Sequence, residues 1–174
     1  SYPKYFTNGY SGKISTTIIV YEKEFDKEAD NLQKILKEKL KIDVKSKAIN
    51  ELSQFEKSSS NLIILAKSNN YLVSELNEVH EKIGFFAFFN KDIIKLIDHQ
   101  GNSYNQYENA GIIQITQNIW NPKGNLACEN VIILISGTEK DLIKKSVKIL
   151  IHDMSQYNHA FGLVITETDV IQIP

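Results

Sequence analysis

Three short runs constrain this chain most: ISTTIIVY at 14–21, NLIILA at 61–66 and VIILIS at 131–136, each an almost unbroken series of apolar and β-branched residues. A strand with one wet face alternates polar and apolar residues; a strand with no polar face has to be covered on both sides. Between the first two runs Phe25, Ala29, Leu32, Ile35, Leu36 and Leu40 keep a helical period, with Asp26 placed to cap the helix. IDVKSKA alternates as a shorter strand, and ELSQFEKSSS reads as a short helix and loop. After NLIILA the loop KSNN leads to a helix with Leu72, Leu76, Val79 and Ile83 inward. This β-α-β-α-β-α order predicts an α/β domain with a mainly parallel sheet and helices on both faces.

The middle of the chain breaks that rhythm. GFFAFFNK, DIIKLIDHQ and AGIIQITQNI carry no helical period and are separated by turn signals at Asn90 and GNSYNQYEN, which predicts a β-hairpin or ribbon insertion around residues 84–118. In FFAFF, Phe85, Ala87 and Phe89 fall on one face and Phe86 and Phe88 on the other, so both faces need cover, from the domain's own helices or from a partner. The α/β rhythm resumes at VIILIS. Thr138 is placed as a helix cap with Asp141 three residues on, and Leu142, Ile143, Val147, Leu150, Ile151 and Met154 form one stripe. FGLVITE and DVIQIP read as a closing strand pair.

A chain of 174 residues with 42% hydrophobic content can bury one sizeable core, so residues 1–174 are expected to form a single domain. It starts at Ser1 without Met and stops inside a strand-like segment, as expected of a piece excised from a larger protein. Net charge is -1, which creates no global attraction to nucleic acid or to an anionic membrane; no nucleic-acid partner and no direct membrane insertion of this segment are expected. All 20 basic residues are Lys. Without Arg there is no bidentate guanidinium fork for phosphate or carboxylate. No segment approaches the roughly 20 apolar residues of a membrane span. Cys128, the single cysteine, cannot form an internal disulfide, and no Cys/His spacing suggests zinc.

In open α/β sheets ligands bind at the carboxyl ends of the strands. There the first loop, EKEFD, carries Glu22, Glu24 and Asp26, which repel the phosphate a flavin would bring, and the third strand ends in Ala66-Lys67-Ser68-Asn69, without a phospho-acceptor Asp. The loop SGTEKD has one glycine and matches neither the P-loop nor the dinucleotide fingerprint; it reads as a turn at Gly137 capped by Thr138, with a weak anion site as the alternative. A small-molecule site would need Glu22, Glu24, Lys67, Ser136 and Thr138 to converge. His152 and His159 lack a metal-ligand spacing, His80 and His99 read as solvated, and no metal or other cofactor is expected. NIWNPKGN sets Trp120 in a Pro/Gly turn: exposed, it could stack on a sugar with Asn118, Asn121 and Asn125 as polar partners; buried, it plugs the end of the core.

NLIILAKSNNYLVSEL, then GIIQITQNIWNPKGN followed by VIILISGTEKDLIKKSVKIL, resembles the flavodoxin-like domains of archaeal S-layer-type surface proteins and the related domain of the bacterial cellulose synthase regulatory subunit. The likeness covers roughly residues 61–151. It implies a three-layer flavodoxin-like frame without flavin, with no catalytic residues, in an extracytoplasmic or cell-surface setting. Its partners would then be other domains of the same protein, neighbouring subunits, or glycan. An accessory role in carbohydrate binding or polysaccharide synthesis, and a small-molecule enzyme with an unrecognised site, remain as alternatives.

Overall fold

The computed structural model describes residues 16–124, 129–157 and 161–173. The chain is mixed α/β. Seven strands are hydrogen-bonded in the order β10 (Val170–Ile173), β9 (Gly162–Ile165), β7 (Gly111–Gln117), β8 (Val131–Gly137), β3 (Asn61–Leu65), β1 (Thr17–Tyr21), β2 (Val44–Ala48), mostly parallel in direction and antiparallel at one margin, and a separate three-stranded antiparallel sheet has the order β4 (Ala87–Asn90), β5 (Ile93–Ile97), β6 (Ser103–Tyr107). Two compact units share the chain: one takes residues 1–65 and 117–133, the other 66–116 and 134–174.

In the first unit, β1 (Thr17–Tyr21) lies between β2 (Val44–Ala48) and β3 (Asn61–Leu65), parallel to both. Ile18, Ile19, Val20 and Leu62 through Leu65 are fully buried, as their lack of a polar face requires. Each such side chain contributes about 1.5–3 kcal/mol by leaving water. Helix α1 (Asp26–Leu40) packs on β1 and β2 through Ala29, Leu32 and Leu36, spaced three and four apart. Asp26 opens this helix and does not cap it: a 3-10 turn over Lys23–Phe25 precedes it, and the Asp26 carboxylate accepts from the adjacent Lys27 N–H at 2.7 Å. The short helix α2 (Gln54–Ser59) begins with a full capping box in which Ser53 and Glu56 satisfy each other's backbone N–H.

In the second unit Asn70 caps α3 (Tyr71–Glu78), accepting from Leu72 N, and Leu72, Val73 and Leu76 are its buried face. Then β4 (Ala87–Asn90), β5 (Ile93–Ile97) and β6 (Ser103–Tyr107) form the small sheet. The expected insertion is therefore a three-strand meander that ends at Tyr107. AGIIQITQNI leaves it: β7 (Gly111–Gln117) pairs antiparallel with β9 (Gly162–Ile165) in the large sheet, because Ile112 and Ile113 can be buried there. The polar GNSYNQYEN, which reads as a turn, contains β6; four of its five residues are exposed, so no apolar pattern marked it. Alternation in FFAFF holds, with Phe85, Ala87 and Phe89 buried and Phe86 and Phe88 half-buried. Phe88 stacks on His80 with centroids 4.1 Å apart, so that half-buried histidine is not simply solvated, while His99 is exposed with Phe86 meeting it edge-on.

The outer edge of β4 is closed by side chains. The Asn77 carboxamide accepts from Phe89 N (2.6 Å) and donates to Phe89 O (2.8 Å), and the Gln114 carboxamide does the same with Ala87 N (3.0 Å) and O (2.8 Å). Each amide copies the donor and acceptor of a missing neighbouring strand. Strand β8 (Val131–Gly137) feeds α4 (Lys140–His152), which buries Leu142, Ile143, Val147 and Leu150. Met154 falls in the 3-10 turn after that helix, and β10 (Val170–Ile173) closes an antiparallel pair with β9.

Gln114→Leu keeps the volume of the buried side chain but strands both Ala87 backbone groups. It is expected to lower unfolding free energy by about 2 kcal/mol, read by urea denaturation; a loss below about 0.5 kcal/mol would show that the amide does not close the β4 edge.

Candidate functional site

Two places carried the sequence-level candidates, and the chain fills both with its own bonds. The first is the turn after β8. Thr138 N donates to Ala110 O at 3.0 Å, Thr138 Oγ1 accepts from Ala110 N at 3.1 Å, and Oγ1 donates to Glu108 O at 2.8 Å. Thr138 therefore binds the 108–110 segment and does not cap α4, whose N-cap position is Glu139, without a side-chain bond. At Gly137 an added Cβ would stand 2.7 Å from Ala110 O and 3.0 Å from the Gly111 Cα, so glycine here permits two backbones to touch. Ser136 is fully buried, and its Oγ has no hydrogen-bond partner among the described residues. Lys67 is half-buried in a loop that continues along β8, with Ala66 N donating to Ile135 O and Ser68 N to Gly137 O. Glu22 and Glu24 belong to the other unit, where Glu22 N donates to Leu65 O and both side chains are half-buried.

The second place is NIWNPKGN. Asn118 is buried; its Nδ2 donates to Lys57 O and Ser60 O, both at 2.9 Å, and its Oδ1 accepts from Trp120 N, also at 2.9 Å. Asn121 Nδ2 donates to Asn130 Oδ1 at 3.0 Å, Asn121 Oδ1 accepts from Lys123 N, and Asn130 Nδ2 donates to Ser59 O at 3.2 Å. Asn61 continues the set, accepting from Val131 N at 2.9 Å. Carboxamides that read as sugar partners thus anchor a turn to the end of α2. Trp120 is half-buried, with the Lys57 Nζ 4.3 Å from its ring centroid. That face of the indole is held by a cation from within the chain, an interaction of about 0.5–2 kcal/mol. Asn125, Cys128 and His159 lie outside the described residues.

A place the sequence did not mark lies beside β2: an open groove of about 470 Å³ lined by Lys45, Lys47, Ser53, Phe55, Glu56 and neighbouring residues. Phe55 is 76% exposed there, on a helix too short to show a stripe that would have set it apart. Lys47 Nζ donates to Glu56 Oε1 at 2.7 Å. That bond, with the Ser53 backbone and hydroxyl, holds the Glu56 carboxyl down at about 2. Among the described residues no group of three or more His, Cys, Asp or Glu could hold a metal ion, and no helix is long and apolar enough to cross a membrane. No protein-family model matches the chain, and no curated protein sequence matches it either.

Two outcomes follow from this geometry. Asn118→Ala removes the hydrogen bonds to the Lys57 and Ser60 carbonyls and from the Trp120 N–H and is expected to cost about 3 kcal/mol, read from urea unfolding followed by Trp120 emission; a loss under about 1 kcal/mol would contradict the anchoring role. A carboxyl held below its ordinary 4.5 stabilises the fold above that value and loses the contribution as pH falls toward about 2. The melting temperature of Glu56→Gln should therefore lie below wild type at neutral pH, with the gap closing through that acid window; a gap that does not change with pH would overturn the assignment.

Proposed function

We propose that this chain is a non-catalytic structural or interaction domain of a surface or extracytoplasmic protein, a flavodoxin-like frame of three layers kept without its flavin. The observation that carries the reading is the closed turn after β8. An anion site at a helix N-terminus needs unpaired N–H groups; here the Thr138 N–H and hydroxyl are taken up by Ala110 and Glu108, and the Gly137 backbone packs against Ala110 and Gly111. The resemblance of residues 61–151 to S-layer-type domains supports the same reading. The carbohydrate-accessory alternative draws less support, because Asn118 and Asn121 spend their amides on the fold. The small-molecule enzyme draws less still, since the Thr138 hydroxyl is engaged in the chain.

Two measurements test the proposal. Lysines of this segment should react with a membrane-impermeant amine reagent on intact cells; reaction only after lysis would remove the extracytoplasmic setting. The purified chain should keep its melting temperature when mixed with flavin mononucleotide, nucleoside triphosphates or divalent cations, and a rise of several degrees with any of them would sink the non-catalytic reading.

A further inference from the structure

We draw no further inference here: the strongest candidate, the open groove beside β2 with the exposed Phe55 ring in its lining, carries lysine and glutamate side by side, and nothing in the structure shows what covers it.

Discussion

A peptide group taken out of water without a partner costs about 1–3 kcal/mol, and in this chain asparagine and glutamine carboxamides supply partners where strands and helices stop. Asn61 receives the first N–H of β8, Asn118 ties a turn to the end of α2, and Asn77 with Gln114 complete the edge of β4. Each carboxamide both donates and accepts, so one side chain can replace the two hydrogen bonds that a neighbouring residue would make. Hydroxyls do the same at shorter range, in the capping box of α2 and at Thr138. With lysine as the only strongly basic residue and no guanidinium available to bridge carbonyls, the folded chain leans on neutral amides to finish its backbone hydrogen bonding.

Much of the architecture was readable because it follows from burial alone. ISTTIIVY, NLIILA and VIILIS have no face that tolerates water, and the strands they form are buried almost throughout. The amphipathic helices followed from residue spacing, and the FFAFF alternation predicted which phenylalanines share a face. What escaped was whatever depends on partners distant in sequence. The polar β6 has no signal of its own and exists because β5 pairs with it. β7 looks like part of the ribbon until β9 claims it. Thr138 has the composition of a cap, yet its hydroxyl turns to Glu108, thirty positions earlier.

The same distinction governs the candidate site. Asn118 and Asn121 beside a tryptophan suit a sugar shelf or a buried anchor equally well by composition. The choice depends on where Lys57, Ser59 and Ser60 arrive, 58 to 71 residues upstream of the carboxamides they meet. Phe55 shows the converse: a large aromatic stands in solvent, on a helix α2 that is only six residues long and is committed at its start by Ser53 and Glu56. A turn that could cradle an anion and a turn that clamps two backbone segments share the letters Ser-Gly-Thr. They differ in what the N–H and hydroxyl meet, and here they meet the carbonyls of Glu108 and Ala110.

The closure of β4 by Asn77 requires that this side chain stay an amide. A carboxamide that gives a hydrogen to one backbone group and takes one from the same residue cannot be exchanged for its acid. Hydrolysis of the Asn77 side chain would leave a carboxylate oxygen facing the Phe89 carbonyl, where an N–H now sits at 2.8 Å. One change of a single atom group, with no change in chain length, would thus turn a satisfied strand edge into a pair of opposed oxygens.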